Sequence, residues 1–526
     1  MADENDYEIT ESEVEIAEKL FGLHFKPEDR KLAMNKINAN LQSYKKLRQI
    51  NLPNNVPPSL LFIPKIVKNL DTSETKFLLP NHLELPEDLN ELAYYPILDL
   101  AYFIKNQLIS CTQLCQMFLD RIQKYDDKIK AVISLNPLAL QRAKALDELL
   151  SQGTYLGPLH GIPFGAKDLL AYPDLPTTWG TPPYREQMID TKATIIDRLE
   201  EKGAIMLAKV SLGELAWGDV WFGGTTKTPW NTEFGSSGSS AGSAASVASG
   251  FMAFAIGSET LGSIVSPSTR CGVTGLRPTF GRVSRFGAMA LSWSMDKLGP
   301  ICHTVEDCAL IFQTILGSDG RDNTVVDEPF SWNLKKPMKS LKVGYLKDEF
   351  SKDETHQFWN TRVFDTLKGQ GIELHEVKLP DLPFNDIVYI LHCEAATAFD
   401  DLTLSGQVDD MVRQGEDTWP NVFRWARFIP AVEYIKANRI RTLLIDEMNK
   451  LFDSFDIVIG PSLGNNLSVT NLTGHPCVVV PTGFKDEKLP TSITFMSGLF
   501  EEEKLLRFAK FYQDLTDYHK AKPNLD

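Results

Sequence analysis

The sequence predicts an α/β protein in which helices surround a mixed central β-sheet, preceded by an N-terminal helical extension. Short apolar runs typical of buried strands alternate with amphipathic helical patterns from about residue 98 onward. The first ninety residues lack such runs, and helical patterns and prolines dominate there instead. No repeat with a period of about 20–50 residues occurs, so solenoids and propellers are excluded.

The extension is predicted to span residues 1–90. Apolar positions at helical spacing between Val14 and Phe21 predict a first helix, and Pro27 opens a second helical pattern that continues to about Ile50. Six prolines interrupt residues 51–90, which predicts irregular chain and short helices lying on the rest of the protein.

The second predicted domain spans residues 91–526. Within it, residues 317–441 are less interrupted by turn residues and more charged, so they could form a helical cap or insertion. The predicted helices are Ile104–Ile122, Leu138–Leu150 and Ala193–Lys202, and the predicted strands are Ala131–Leu135, a run within Gly157–Leu170, Ala204–Ala208, Leu341–Tyr345, Ile457–Ile459 and Cys477–Val480.

The composition argues against several functional classes. The 526 residues include 54 Lys and Arg against 69 Asp and Glu, a net charge of −15, which argues against a protein that coats nucleic acid or binds membranes electrostatically. No apolar run reaches the roughly 18 residues of a membrane-spanning helix, and the acidic first residues do not resemble a signal peptide, so a cytoplasmic location is expected. Seven scattered cysteines and nine dispersed histidines predict no disulfide framework and no metal site, and no cofactor is expected.

The segment Gly235–Ser263 carries the strongest chemical signal, with 6 Gly, 9 Ser and 6 Ala among its 29 residues. A flexible linker would have this composition, but an apolar stretch from Ala244 to Ile256 follows the first serines and indicates folded structure. A phosphate-binding loop is disfavoured because the GxxxxGKS/T pattern is missing. Small residues would instead let the backbone approach a reacting group closely and present N–H groups to it.

Two kinds of serine hydrolase are then compared. In an α/β-hydrolase, Ser240 within the GxSxG pattern Gly238–Gly242 would be the nucleophile, but no strand-like run precedes it, as a nucleophile elbow requires. The other kind uses a buried lysine with a depressed pKa to accept the serine proton. Lys167 is the candidate because it follows the apolar run Gly161–Ala166. A lysine there would ordinarily be a surface charge, so this interpretation depends on its combination with the serine-rich segment.

Together these motifs resemble the amidase signature family over roughly Leu98–Phe484. The lysine motif, the serine core, the nucleophile loop and the closing segment occur in the order typical of that family. The matching pieces are Gly157–Pro163 with Lys167 and Asp168, Lys227–Asn231, Gly238–Ala245, Gly257–Ile264, Cys271–Thr279, Gly281–Ser284 and Asn471–Pro476. The resemblance implies the amidase signature fold and the hydrolysis of amides.

The resemblance also implies roles for individual residues. Ser263 would be the nucleophile, Ser239 the bridging serine of a cis peptide, and Lys167 the base. The backbone N–H groups of the oxyanion hole would be those of Thr260, Leu261, Gly262 and Ser263. One such donor can contribute about 3–4 kcal/mol in the transition state.

Four residues depart from the family pattern: Leu261 replaces Gly, Glu259 replaces Asp, Val265 replaces Arg and Ala241 replaces Gly. Leu261 would be strained if its position requires a positive φ, and otherwise its side chain would narrow the pocket. Val265 implies that an ion pair near the nucleophile is absent or moved. None of the four changes removes a triad residue, so we expect activity.

The predicted substrate is a small-molecule amide that is neutral or apolar, and esters and carbamates are also conceivable. Trp217, Trp221 and Trp293 lie near the motifs and are candidate substrate-binding residues, although ordinary core packing would explain each of them. No nucleic-acid or membrane partner is expected, and a homo-oligomer is left open.

Three alternative functions remain. Gly272–Gly287 and Gly299–Leu310 resemble the A subunit of glutamyl-tRNA amidotransferase, which suggests a glutamine-dependent amidotransferase subunit. In an ungapped alignment Asp401 replaces the arginine of that enzyme, and a carboxylate there would repel glutamine. A catalytically silent binding homologue would show the loss of a triad residue. A membrane-associated lipid amidase would need an exposed apolar hairpin, for which Leu60–Ile63 is the candidate segment.

Overall fold

The computed structural model describes residues 8–47, 49–50, 53–56, 60–63, 76–334, 337–485 and 489–526. In this part of the chain the strands are β1 (Val132–Leu135), β2 (Pro163–Lys167), β3 (Ile205–Val210), β4 (Val220–Trp221), β5 (Gly224–Thr225), β6 (Phe254–Glu259), β7 (Thr274–Arg277), β8 (Lys297–Cys302), β9 (Val343–Leu346), β10 (Leu374–Val377), β11 (Ile457–Pro461), β12 (Cys477–Lys485) and β13 (Leu489–Met496). Eleven of them form one sheet in the order β1-β3-β2-β6-β8-β7-β12-β13-β11-β9-β10, while β4 pairs with β5.

The large sheet is mixed, which confirms the predicted fold class. β2 is parallel to both β3 and β6, and β9 is parallel to β10 and β11. The other neighbouring strands are antiparallel. Every residue of β2, β3 and β6 is buried. Because β2 and β6 are parallel neighbours, the residues at their carboxyl ends meet at the same edge of the sheet.

Helices surround the sheet, as the sequence predicts. In the described residues the α-helices are α1 (Glu11–Leu20), α2 (Pro27–Leu47), α3 (Ile97–Lys105), α4 (Cys111–Ile129), α5 (Ala139–Ser151), α6 (Thr194–Glu201), α7 (Ala241–Ala248), α8 (Val265–Cys271), α9 (Val305–Ile315), α10 (Lys347–Lys352), α11 (Gln357–Gly369), α12 (Tyr389–Ala398), α13 (Asp400–Ser405), α14 (Trp419–Trp425), α15 (Ala431–Ser454), α16 (Asn465–Thr473) and α17 (Glu502–Asp514). Helix α7 packs on β2 and β6, and α9 packs on β7 and β8.

The helix predicted over Ile104–Ile122 is two helices, α3 and α4. Gln107 between them has a φ of +56°, which an α-helix cannot accommodate. Ser110 then caps α4 by accepting the Gln113 N–H, and the Gln113 side chain accepts the Ser110 N–H in return. The prediction missed the break because the apolar positions on both sides continue at helical spacing.

Residues 317–441 are not entirely helical. They add β9 and β10 to one edge of the sheet. The same segment also contains the helices α10 to α14 and the start of α15. Val343 and Leu346 of β9 are buried between the neighbouring strands and helices. The segment is therefore joined to the central sheet.

The extension begins with the predicted pair of helices, α1 and α2. Arg30 of α2 donates to the Glu18 carboxylate of α1 at 2.8 Å, and both side chains are buried. The irregular chain predicted for residues 51–90 is described only in part, since 51–52, 57–59 and 64–75 lie outside the described residues. Asn54 and Phe62, which are described, contact the second domain.

Candidate active site

Lys167 is the last residue of β2, and its side chain is fully buried. Its Nζ lies 2.8 Å from Ser239 Oγ, 2.9 Å from Ser258 Oγ and 3.1 Å from Ser240 Oγ. The Ser258 carbonyl oxygen lies 3.4 Å away. The amine is therefore surrounded by three serine hydroxyls, two of which belong to the serine-rich core.

The surroundings of Lys167 favour its neutral form. Burial lowers its pKa well below the ordinary value, although the Asp296 and Glu259 carboxylates oppose this shift. A neutral amine has a lone pair that can accept the Ser239 hydroxyl proton, while its own N–H groups donate to the other hydroxyls. An ammonium group can only donate. The arrangement therefore provides a base for Ser239.

Lys209, on the adjacent strand β3, differs from Lys167 in its partners. It is equally buried, but its Nζ lies 2.7 Å from the Asp168 carboxylate in a fully buried ion pair. Burial lowers the pKa of Lys209 too, but Asp168 opposes the shift. The Asp168 carboxylate also accepts the Thr178 N–H at 2.9 Å. Lys209 thus has a structural partner of opposite charge, whereas Lys167 faces hydroxyl groups.

The serine core has an unusual backbone. The peptide bond between Gly238 and Ser239 is cis, and Ser237 before it has a φ of +58°. Position 238 requires glycine, because a Cβ there would lie 1.8 Å from the Gly218 carbonyl oxygen. This backbone places the Ser239 hydroxyl against Lys167, where Ser239 is only 1% exposed.

Ser263 lies in the loop after β6. Its carbonyl oxygen accepts the Ser240 N–H at 3.1 Å, which joins this loop to the segment that carries Ser239. Ser263 retains 8% of its surface exposed, whereas Lys167 is completely enclosed. Ser263 therefore lies beside the segment that carries Ser239, and it is more exposed than Lys167.

Glu259 holds the loop that contains Ser263. One carboxylate oxygen accepts the N–H groups of Ile264 and Val265 at 2.8 and 3.0 Å, and the other lies 2.7 Å from both Arg277 and Asn471. Burial opposes the ionisation of Glu259, but Arg277 and other nearby donors outweigh it and lower its pKa to about 2. Arg277 therefore supplies the ion pair that the change to Val265 had implied was absent or moved.

The backbone of the predicted oxyanion hole has unused donors. Within the described residues, the N–H groups of Leu261, Gly262 and Ser263 donate to no backbone carbonyl. Gly262 has a φ of +89°, whereas the φ of Leu261 is not positive, so the strain considered for Leu261 does not arise. The Thr260 hydroxyl donates to the half-buried Asp296 carboxylate at 2.6 Å and fixes the start of the turn.

A cavity of about 930 Å³, counted with its open mouth, lies beside this site. Ser258 and Thr260 border it, which connects it to the Lys167 surroundings and to the oxyanion turn. The apolar part of its wall consists of Leu60, Leu61, Leu169, Ala216, Phe286, Ala288, Met289, Ala290, Leu291, Trp293 and Leu298. Polar and charged side chains also border it, and a cavity that combines apolar walls with polar groups is typical of a binding site for small molecules.

The three candidate tryptophans have different surroundings. Trp293 borders the cavity, as described above. Trp217 packs edge-on against Trp419 at 4.7 Å, and Trp221 is buried against Phe222 at 4.9 Å. Neither of these two is among the described residues that border the cavity.

Asp401 does not support the argument against glutamine. It is exposed on α13 and is not among the described residues that border the cavity, so its carboxylate cannot repel a substrate there. The nucleophile elbow proposed around Ser240 is also missing. The Ser240 hydroxyl is fully buried and donates to the Ser258 carbonyl at 3.0 Å, and the described residues 226–239 directly before it contain no strand.

Sequence reasoning missed three residues that shape this site. Ser258 and Arg277 lie inside recognised motifs, but nothing in those motifs indicated that Ser258 contacts Lys167 or that Arg277 pairs with Glu259. Asp296 lies outside every motif quoted, and its contact with Thr260 had no local signal. The only hint in the sequence was that the Asp296 carboxylate lies directly before an apolar strand.

Two further properties concern the described part of the chain. None of its helices is both long enough and apolar enough to cross a membrane. Its His, Cys, Asp and Glu side chains form no group of three that could hold a metal ion.

Comparisons with known proteins agree with this geometry. A family model described as Amidase matches residues 113–468, more than half of the chain. The A subunit of glutamyl-tRNA(Gln) amidotransferase from Dehalococcoides mccartyi is 33% identical over 475 residues, which cover 80% of this chain and 97% of that protein.

Solved structures of amidases resemble the fold of this chain. Native peptide amidase from Stenotrophomonas maltophilia superposes with a TM-score of 0.73 at 26% identity, covering 83% of this chain and 100% of that one. An amidase family protein from Bacillus anthracis superposes with a TM-score of 0.75 at 26% identity, covering 82% and 92%. The chain therefore belongs to the amidase family, as its signature motifs predicted, and is an enzyme of the amidase type.

Proposed function

We propose that this protein hydrolyses the C–N bond of a carboxylic amide through an acyl-enzyme on Ser263, with Ser239 and Lys167 as its proton-transfer partners. The observation that carries the proposal is the 2.8 Å contact between the fully buried Lys167 amine and the Ser239 hydroxyl. A serine hydroxyl is a poor nucleophile unless an adjacent base accepts its proton. Lys167 has the depressed pKa that this task requires.

The proposed relay transfers the Ser263 proton to Lys167 through the Ser239 hydroxyl. Ser263 Oγ bonds to the carbonyl carbon while its proton passes to Ser239 and the Ser239 proton passes to Lys167. The Lys167 ammonium returns a proton by the same route to the leaving nitrogen as the C–N bond breaks. Water then attacks the ester carbon, gives its proton to the relay, and releases the carboxylic acid as Ser263 regains its proton. Each cycle ends with neutral Lys167.

We further propose that the turn Thr260–Ser263 stabilises the negative oxygen of the tetrahedral intermediate. The support is that the N–H groups of Leu261, Gly262 and Ser263 are not used by backbone carbonyls in the described residues. Glu259 and its partners hold the far end of this turn, so the donors need no reorganisation when charge develops.

The proposed substrates are neutral or apolar amides. Apolar residues form much of the cavity wall. The two arginines among its described residues are already paired, Arg285 with Asp322 at 2.9 Å and Arg321 with Asp319 at 3.5 Å, which leaves these cations less available for an anionic substrate. We propose Trp293 as a substrate contact because it borders the cavity. The corresponding roles of Trp217 and Trp221 have no such support.

A glutamine-dependent amidotransferase subunit is the second candidate. The relative from Dehalococcoides mccartyi has that name and aligns over 97% of its length, and Asp401 does not exclude glutamine. This candidate predicts release of ammonia from glutamine and a requirement for partner subunits. The first candidate predicts turnover of apolar amides by the protein alone.

Covalent labelling with a small serine-reactive fluorophosphonate tests the mechanism. Ser263→Ala should abolish labelling, while Ser266→Ala, three residues away, should retain it. Labelling that survives in Ser263→Ala and disappears in Ser240→Ala would contradict the proposed nucleophile. Absence of labelling in the native protein, together with absence of turnover, would indicate a catalytically silent homologue.

A turnover panel tests the substrate class. It contains glutamine, short aliphatic amides, aryl-acyl amides, anilides, a carbamate and a fatty amide, each measured by release of amine or ammonia beside Ser263→Ala. Turnover of apolar amides without glutamine supports the hydrolase. Turnover of glutamine favours the amidotransferase and contradicts the proposed apolar preference.

A further inference from the structure

The N-terminal extension contributes to the wall of the cavity. Asn54, Asn55, Leu60 and Leu61 border it, and we call the described residues 53–56 and 60–63 the extension segment. This segment precedes residue 113, where the family match begins. The alignment with the relative from Dehalococcoides mccartyi covers 80% of this chain and 97% of that protein, so a fifth of this chain lies outside the alignment.

One anchor of the extension segment is the Asn54 side chain. Its Nδ2 donates to the Ala290 carbonyl at 2.8 Å, and its Oδ1 accepts the Ala290 N–H at 2.7 Å. This reciprocal pair satisfies both backbone groups of Ala290. Nδ2 also lies 3.4 Å from the Ala398 carbonyl at the end of α12. The amide therefore links the extension to two separate parts of the second domain.

The other anchor is Phe62. Its ring packs edge-on against Phe280 at 5.0 Å, and the buried Arg441 guanidinium lies 3.8 Å from its centre. A guanidinium over an aromatic face is an attractive contact. The two anchors lie on either side of Leu60 and Leu61 in the sequence, so they hold both leucines at the cavity.

The anchored loop leads directly to the reaction centre. Leu291 follows Ala290, and its N–H donates to Asp296 at 2.8 Å. Asp296 in turn accepts the Thr260 hydroxyl at 2.6 Å. The wall formed by the extension segment is thus attached to the same loop that positions the start of the oxyanion turn.

We propose that Leu61, held by Asn54 and Phe62, limits the size of the apolar substituent that the cavity accepts, so that the extension determines substrate selectivity. The inference rests on the proposed function of Ser263. Leu61 borders the cavity and is 42% exposed, so it lies at the boundary between the cavity and solvent. A larger side chain there would shorten the cavity, and a smaller one would lengthen it. Each methylene group of a ligand that is buried or excluded changes binding about fourfold.

The test compares two fluorophosphonates, one with an ethyl and one with a dodecyl chain, by their second-order rates of labelling Ser263. The variants are Leu61→Trp, Leu61→Ala and the matched control Leu78→Trp, a leucine of the extension that is 76% exposed and does not border the cavity. We expect the dodecyl-to-ethyl rate ratio to fall at least about fivefold in Leu61→Trp and to rise in Leu61→Ala. The control should stay within about twofold of the native ratio.

The outcomes separate the inference from the function on which it rests. Normal ethyl labelling with an unchanged ratio in both Leu61 variants overturns the inference and leaves the proposed function intact. A ratio that changes in the same direction in both variants, or equally in Leu78→Trp, also overturns it. Failure of both probes to label Ser263 in the native protein overturns the proposed function as well. If Leu61→Trp does not fold, Leu61→Ala decides.

Discussion

The reaction centre and the extension segment border the same cavity but are held in opposite ways. Lys167 and Glu259 have no exposed surface, and their partners are buried side chains and backbone N–H groups. Leu60 and Leu61 are 81% and 42% exposed, and their anchors are one amide and one aromatic ring. The reaction centre is held by an ion pair and hydrogen bonds in the core, and the extension segment by one amide and by one aromatic ring that contacts the Arg441 guanidinium.

The difference shows where this protein can change without losing its fold. Breaking a buried ion pair costs about 3–5 kcal/mol, a large part of the total stability of a domain. A change at an exposed side chain usually costs less than about 0.5 kcal/mol. The proposed catalytic groups therefore lie in the region that tolerates few substitutions. The residues that we propose determine substrate selectivity lie in the region that tolerates many.

The largest expected effect comes from replacing the proposed base. Lys167→Met should lower kcat/KM by about 10²–10⁴-fold, because Ser239 loses its proton acceptor. The fold should survive, since methionine fills a similar volume without a charge. Lys209→Met is the matched control, and it should instead cost about 3–5 kcal/mol of stability because it leaves Asp168 buried and unpaired. Full activity in Lys167→Met would contradict the relay.

The pH dependence of kcat/KM in the native enzyme also tests the role of Lys167. Only the neutral amine accepts a proton, so kcat/KM should rise with pH through the pKa of Lys167. Burial lowers that pKa well below 10.5, so the rise should be complete far below that pH. A rise centred near pH 10.5 would show that Lys167 is not desolvated as the structure indicates.

The second effect is on stability at the nucleophile loop. Arg277→Met should lower the free energy of unfolding by about 3–5 kcal/mol, because Glu259 stays buried without its cation. Urea unfolding followed by tryptophan fluorescence measures it. The loop Glu259–Ser263 should also lose its geometry, so activity should fall together with stability. A loss below about 1 kcal/mol would mean that Asn471 and the backbone N–H groups suffice for Glu259.

The third effect is the pH dependence of the stability that the Glu259–Arg277 ion pair contributes. The folded pKa of Glu259 is about 2, below the value of about 4.3 in the unfolded chain. The stabilisation is therefore complete above about pH 5 and is lost as the pH falls toward 2, with a total of about 3 kcal/mol. The difference in unfolding free energy between the native protein and Glu259→Gln should shrink over this range. An equal difference at pH 7 and pH 3 would contradict the assignment.

The smallest effect is expected at the extension segment. Asn54→Ala removes the reciprocal pair with Ala290, but the site is only half-buried, so unfolding free energy should change by about 1 kcal/mol or less. The dodecyl-to-ethyl labelling ratio should rise several-fold as the wall loosens. A loss of stability as large as that of Arg277→Met would remove the contrast between the two regions.

Most of the secondary structure near the site was predictable from local pattern. The apolar run before Lys167 is β2, and the run Ala204–Ala208 is part of β3. The break between α3 and α4 was not predictable from periodicity, because a single residue with positive φ interrupts an otherwise continuous apolar pattern. The strand predicted over Leu341–Tyr345 overlaps β9, whereas β10 was not predicted; β9 pairs with distant β11, and β10 pairs with β9.

The candidate site was predictable in its reacting groups but not in its supports. The motifs indicated Lys167, Ser239 and Ser263; the structure shows Lys167 in contact with Ser239, and the Ser263 carbonyl bonded to the neighbouring Ser240 N–H. The expectation that Trp217 and Trp221 contact substrate rested on nearness in sequence, and both pack elsewhere. Asp401 was matched to the arginine of the amidotransferase in an ungapped alignment. Its exposed position shows that such an alignment is a weak basis for assigning a residue to the site.

The sequence by itself determined the α/β class, the buried strand that ends in Lys167, and the small residues around Ser239, because these follow from local periodicity and from steric need. Only the tertiary structure decided that Arg277 neutralises Glu259 and that Leu61 borders the cavity. Those contacts join elements far apart in the chain, and periodicity carries no information about which distant elements meet. Burial then gives each contact its energy, because a charge or an apolar side chain is stabilised only by what surrounds it in the folded protein.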